Sequence, residues 1–272
     1  MRARLALAGT ELEIELTKPV DLAVELDFAG PQVRHFGAAR ASSRPFETPG
    51  FKGSVAQGSG CNCDVITLIP HCNGTHTESV GHLTRERLDA WRVVPAGLLP
   101  ALLLSVAPEA AGDEGTEPAP QPTDRLITRR ALERRWPAHP PFAPHALIVR
   151  TLPNDTAKRT HDYTGQTPPY LSREAAQLLV SRGIQHLIVD LPSIDRAQDE
   201  GRLTAHRIFF GLPRTSVELA AATRPGATIT ELAFVPDSVP DGVGLLELQV
   251  PALSGDAVPS RPLLYPLARP AA

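Results

Sequence analysis

The chain has 272 residues, with 27 Lys plus Arg against 30 Asp plus Glu, so its formal net charge is −3. That balance gives no electrostatic basis for binding nucleic acid or an anionic membrane surface. With 42% apolar and 21% charged residues, the chain can build a sizeable core and is not a disordered polymer. No apolar run approaches the roughly 20 residues of a spanning helix; the longest, Ala96 to Val106, contains Pro100.

In chain order, Leu5 to Leu16 alternates apolar and polar residues about Gly9-Thr10, which predicts a β-hairpin. Glu11, Glu13 and Glu15 stand where a secretory segment would be apolar, so a soluble, cytoplasmic protein is expected. Asp21 to Phe28 alternates again and reads as a third strand, and Ala29 to Gly60, rich in Gly, Pro, Ser and Arg, reads as loop. Val65 to Ile69 is a short apolar run stopped by Pro70, expected to be the strand that delivers the polar segment after it.

Ala96 to Val106 and Ala146 to Thr151 read as buried strands, and the acidic, Pro-rich stretch from 109 to 123 as an exposed, mobile loop. Thr123 or Asp124 is placed to cap a helix reaching about Arg135. Ser172 starts the best helix pattern, with Ala175, Ala176, Leu178, Leu179 and Val180 as its apolar face and Gly183 as its stop. Ile184 to Asp190, Ile229 to Val235, Leu245 to Val250 and Leu263 to Tyr265 read as further strands. The expectation is one strand-rich α/β domain spanning residues 1–272, without repeats.

Cys61, Cys63 and Cys72 are three in number and confined to one stretch, which suits reduced thiols rather than a disulfide framework. Cys61-Asn62-Cys63 also lacks the two-residue spacer of a zinc knuckle.

The chemistry concentrates in Pro70-His-Cys-Asn-Gly-Thr-His-Thr-Glu-Ser-Val-Gly-His82, which holds three of the nine histidines together with a thiol and a carboxylate. Imidazole, thiolate and carboxylate are the ligands of first-row transition metals. On an extended strand His76 and Glu78, two apart, project to one side. So many polar groups beside an apolar strand require partners, because buried unpaired imidazole and carboxylate are costly.

This segment resembles the signature of the cyclase family of metal-dependent hydrolases, which includes bacterial kynurenine formamidase and isatin hydrolase. The family pattern is His-x-Gly-Thr-His-x-Asp-x-Pro-x-His. Gly74-Thr75-His76 and His82 match it, Glu78 replaces the Asp, Val80 the Pro, and Cys72 the first His, with His71 adjacent. Further along, Ile184 to Arg196 resembles the family strand ending in Asp, Leu203 to His206 the stretch bearing a ligand His, and Thr228 to Leu232 the stretch bearing a ligand Glu; Asp256 to Pro262 resembles the C-terminal segment.

The resemblance implies a mixed, β-barrel-like core with flanking helices and a homodimer or homotetramer. It implies one or two divalent ions, zinc or manganese, on His76, Glu78, His206 and Glu231, with His71 or Cys72 as fifth ligand and Glu218 a competitor for Glu231. It gives His82 the part of general acid and base, and Thr75 reads either as a donor to substrate or metal-bound water or as a support for the turn. Asp190 becomes a partner that orients a ligand histidine, or else a residue that caps a turn. The implied reaction is hydrolysis of a C–N bond in a small amide, formamide or lactam. The alternative is a non-catalytic small-molecule or metal-binding protein on the same fold, an alternative fed by Cys72. Of the remaining polar residues, His186 reads as structural, Cys61 and Cys63 as packing, and His161, Tyr163 and Tyr170 as a solvated loop.

Overall fold

A computed structural model of the chain describes residues 1–268. Its strands are β1 (Arg2–Leu7), β2 (Thr10–Glu15), β3 (Val20–Asp21), β4 (Ser42–Pro45), β5 (Glu47–Thr48), β6 (Phe51–Lys52), β7 (Asp64–Thr67), β8 (His76–Glu78) and β9 (Leu99–Val106). They continue with β10 (Leu126–Ile127), β11 (Ala146–Thr151), β12 (Tyr170–Leu171), β13 (His186–Val189), β14 (Thr228–Glu231), β15 (Gly242–Gln249), β16 (Ala257–Pro259) and β17 (Arg261–Ala268). The α-helices are short: α1 (Ala90–Val93), α2 (Arg129–Arg135), α3 (Arg173–Ser181) and α4 (Thr204–Phe210).

One large sheet runs in the order β1-β2-β17-β15-β9-β11-β13-β14-β8-β16, with β3 pairing on β17. At its centre β9, β11, β13 and β14 are mutually parallel; β15 joins β9, and β8 joins β14, in the antiparallel sense. The order ends at β1 and β16 without returning on itself, so the barrel-like closure expected for the core gives way to an open mixed sheet. Parallel strands buried on both faces carry near-continuous apolar runs, which is why Ala101 to Leu104 and Ala146 to Val149 show no alternation.

Leu102, Leu104, Leu147, Val149, Leu187, Val189 and Ile229 pack with α2, α3 and α4 on one face. Ala101, Leu103, Ala146, Ile148 and Ile188 point the other way, against Leu22, Ala233, Val235 and Val239. Among the described residues no helix is long and apolar enough to cross a membrane.

Several expectations are corrected. The third strand is only β3: beyond it Leu22 donates to Pro262 O and Val24 to Thr75 Oγ1, so the backbone from Leu22 onward serves different neighbours in turn instead of one ladder. The loop from 29 to 60 contains β4, β5 and β6, and β7 pairs with β4 in a small separate sheet rather than delivering the polar segment from the main one. Residues 126–127 form β10, and α2 starts later than expected, capped by Thr128, whose Oγ1 accepts from Ala131 N. Helix α3 is capped as foreseen, Ser172 Oγ accepting from Ala175 N. The acidic stretch is not a free loop: Glu114 is buried and accepts from Arg129 N, Arg130 N and Ser172 Oγ, tying the starts of α2 and α3 together. Tyr170 is buried rather than solvated and donates to Asp124 Oδ2.

Candidate metal centre

Strand β8 is three residues long and buried, with β14 on one edge and β16 on the other. Glu231 stands directly opposite His76 across the β14 pairing, while Glu78 stands opposite Ile229. His76, Glu78 and Glu231 therefore share a face, the one on which Ile229 meets α4. The register alone brings candidate ligands about 150 positions apart in sequence to one point.

His76 Nδ1 lies 3.1 Å from the Gly74 carbonyl. A carbonyl only accepts, so the Nδ1–H donates and Nε2 is left with its lone pair pointing inward. That approach needs the backbone to bend at Gly74, which has φ +78°. His76 Nε2 lies 3.5 Å from Glu231 Oε2.

His206 enters from α4. Its Nδ1 donates to Asp195 Oδ2 at 2.7 Å, and Asp195 also accepts from Ala205 N at 2.7 Å and His206 N at 3.0 Å. One carboxylate thus closes the first turn of α4 and fixes the ring so that Nε2 faces the centre, 2.9 Å from Glu78 Oε1 and 3.6 Å from Glu231 Oε1. Glu231 is itself held by Ile194 N at 2.8 Å.

The more open side of the site holds His71 and His82, stacked with ring centroids 4.3 Å apart. His71 Nε2 is 3.6 Å from Glu78 Oε2, and both histidines face Asp256 Oδ2, at 3.1 Å from His71 Nε2 and 3.4 Å from His82 Nδ1.

Two groups that could hold a metal ion result, His76 with Glu78 and Glu231, and His71 with Glu78 and His82, each with candidate donor atoms within 4.8 Å of one another. Glu78 belongs to both. Among the described residues His76 Nε2, buried and aimed into this space, has no hydrogen-bond partner, while His71 Nε2 and Glu78 Oε1 meet only other charged groups of the same cluster. Buried orphans of this kind are costly, and imidazole nitrogens facing carboxylate oxygens form the donor set that a divalent cation satisfies. The residues fit such an ion.

The charges agree. Burial by itself raises the Glu78 pKa, but the nearby His82 and His206 outweigh it and hold the carboxyl down at about 2. Burial lowers the His206 pKa, and Glu78 and Asp195 reverse this, leaving it well above its ordinary value. Hydrogen bonds from His71 and His82 keep Asp256 far below the usual carboxylate range.

Of the site residues expected from the sequence, His71, His76, Glu78, His82, His206 and Glu231 come together, and three others do not. Cys72 stands outside both ligand groups, its thiol pKa raised first by burial and then by the charge of Glu231; the neighbouring His71 supplies an imidazole instead. The Thr75 hydroxyl is turned to the backbone, donating to Leu232 O at 2.6 Å and accepting from Val24 N at 2.8 Å, which is the supporting part among the two expected for it. It fastens the backbone after Glu231, where Leu232 takes φ +54°.

Asp190 does not orient a ligand histidine. It accepts from Thr151 N, Thr151 Oγ1 and Lys158 Nζ, at the ends of β11 and β13. Glu218 is exposed and paired with Arg85. Asp195 and Asp256 were not singled out from the sequence, although both lie inside the segments that resemble the family. The signal available for Asp195 was its place a few residues after a strand end and before His206. Cys61 and Cys63 are exposed, and His186 is structural as expected, bonded to Thr228 Oγ1.

Residues 14–196 match the family model described as Putative cyclase. The chain belongs to that family. Solved structures with the same fold include a predicted metal-dependent hydrolase from Bacillus stearothermophilus, 16% identical, with TM-score 0.57 over 91% of this chain and 98% of that one. Isatin hydrolase A from Labrenzia aggregata is also 16% identical, with TM-score 0.59 over 93% and 94%. A structure described as a potential metal-dependent hydrolase with cyclase activity is 17% identical, with TM-score 0.59 over 91% and 97%. No curated protein matches this cyclase-family chain by sequence.

Proposed function

We propose that this cyclase-family chain is a metal-dependent hydrolase that cleaves the C–N bond of a small amide, formamide or lactam. The observation that carries the reading is the division of Glu78 between two sets of histidines, Oε1 toward His206 and Oε2 toward His71. A carboxylate shared in this way would be available to two cations held close together. The likeness to an isatin hydrolase, which bears a lactam substrate in its name, supports the choice of bond.

His76, Glu78, Glu231 and His206 would hold one ion, and Glu78 with His71 the other; imidazole and carboxylate suit zinc or manganese. When bound, such ions polarise a carbonyl oxygen and make water acidic enough to attack at neutral pH. The chain's own residues then have defined parts. Asp195 and the Gly74 carbonyl fix which nitrogen of His206 and His76 faces the centre. Asp256 sits at Nδ1 of His82, which leaves Nε2 of the same ring as the atom that exchanges protons with the substrate. His82 is suited to that work because it is partly open, whereas His76 is sealed. In the overall step the C–N bond breaks, a hydroxyl ends on the carbonyl carbon, and a proton delivered by His82 ends on the departing nitrogen.

The position of His71 also weakens the case for a non-catalytic binding protein, since the missing imidazole at Cys72 is met one residue earlier. The test is metal content per chain, together with hydrolysis of an aryl formamide and of isatin. Wild type should carry two equivalents and turn over at least one of these substrates. His71→Ala should lose one equivalent and Cys72→Ser none, and His82→Ala should keep metal but lose turnover. A metal-free wild type, or turnover unaffected in His76→Ala, overturns the reading.

A further inference from the structure

Helix α4 has a second face. Thr204, Arg207 and Ile208 recur at helical spacing and look away from His206, and they line a cavity of about 180 Å³. Four arginines surround it: Arg173, Arg202, Arg207 and Arg214. Glu117 is the one carboxylate among the lining residues, so the local charge is 4 − 1 = +3 on a chain whose formal net charge is −3.

Glu117 is already engaged. Its Oε2 lies 2.8 Å from Arg214 Nη2 and its Oε1 3.7 Å from Arg173 Nη2. Arg207 is held in place by the carbonyls of Pro213 and Ser216, at 3.1 and 2.8 Å, and these position the guanidinium without neutralising it. Arg202 has Glu200 at 3.8 Å, a long and largely exposed pair, and such pairs contribute little. Arg202, with only the long contact to Glu200, and Arg207, held by carbonyls rather than paired to a carboxylate, therefore line a space whose remaining wall includes Ile208 and Leu212.

A guanidinium fork matches a carboxylate in shape as well as charge, and the aliphatic wall calls for an apolar body behind it. The volume is below the roughly 300–1,000 Å³ of pockets for drug-sized ligands, which excludes a nucleotide. We propose that this cavity is a binding site for a small carboxylic acid with an apolar body, held by Arg202 and Arg207 and lying against Ile208 and Leu212. The site is separate from the metal centre and does not depend on the hydrolase reading.

Isothermal titration of the full chain with benzoate, benzamide and inorganic phosphate tests it, with Arg202→Glu, Arg214→Glu and His76→Ala as variants. Arg202 and Arg214 are exposed, so their reversals should leave the circular dichroism spectrum unchanged. The expected result is saturable binding of benzoate and none of benzamide. Benzoate binding should weaken about tenfold or more in Arg202→Glu, a loss in line with a charged hydrogen bond, should weaken also in Arg214→Glu, and should be unchanged in His76→Ala. Absence of saturable benzoate binding overturns the proposal. So does binding lost in His76→Ala and kept in Arg202→Glu, which would place the acid at the metal centre. Phosphate bound as tightly as benzoate would refute the assignment to a carboxylate with an apolar body.

Discussion

Asp195 grips His206 twice, through the ring Nδ1 and through the backbone N–H of the same residue, so the imidazole and the start of α4 are positioned by one carboxylate. Partners of this kind set the tautomer of a ligand histidine and raise its basicity. Asp195→Asn keeps the size and an acceptor oxygen for the helix start but removes the charge behind the ring. The expected outcome is a fall in metal affinity of about 10–100-fold, read by titrating zinc into the metal-stripped protein, with little change in helical content. Affinity equal to wild type would show that Asp195 serves only the helix.

Thr75 makes a different prediction. Its hydroxyl bridges Val24 N and Leu232 O in a buried place, so Thr75→Val keeps the shape and orphans both groups. A loss of about 1–3 kcal/mol per unsatisfied group is expected, seen as a lower midpoint in urea. Because Thr75 supports Glu231 rather than touching substrate, the variant saturated with metal should retain most of its turnover. Loss of turnover at unchanged stability would restore Thr75 to the reacting atoms.

Much of this was legible in the sequence, and the gaps have physical causes. The apolar runs from Ala96 to Val106 and from Ala146 to Thr151 and the period of α3 gave elements that the structure contains, β9 starting at Leu99, because burial on both sheet faces and Ser172 capping are local signals. The cluster from His71 to His82 gave the first half of the site for the same reason. Asp195 and Asp256 were missed because their roles arise from pairing across the fold: Asp256 meets His71 and His82 only through the β16 pairing on β8. Helix α4 also gives little sign of itself, since it is seven residues long and preceded by Leu203 at φ +48° instead of a capping side chain. Its start is closed by Asp195, eight positions before Leu203.

His186 predicts an acid-sensitive stability. It is buried on β13, and burial first, then the charges of His145 and Arg224, lower its pKa from 6.5 to about 4. The unfolded chain therefore takes up this proton at a higher pH than the folded one. The contribution is fully present above pH 6.5 and is lost as pH falls toward 4, reaching about 3 kcal/mol. Urea unfolding of wild type and His186→Gln at pH 7 and pH 4.5 isolates it from the metal centre, whose acid sensitivity both share. The gap between the two proteins should move in favour of His186→Gln at the lower pH; a constant gap would mean that His186 does not titrate in that range.

The last prediction concerns Asp190 and separates fold from site. The carboxylate is fully buried, and burial pushes its pKa up despite Lys158 and Thr151, which pull it down. Lys158 Nζ reaches it at 2.9 Å and also donates to Thr151 O and Thr151 Oγ1. Removing one partner of a buried pair leaves an uncompensated charge, which costs about 3–5 kcal/mol. Lys158→Met should show that loss in urea at pH 7. In the double variant Lys158→Met/Asp190→Asn the charge is gone as well, so the protein should recover part of the stability lost in Lys158→Met. Metal content should stay at the wild-type value in both variants, because Asp190 contacts the ends of β11 and β13 and no ligand histidine. If metal is lost from the double variant while its fold persists, Asp190 acts on the centre, and the assignment of that part to Asp195 alone is wrong.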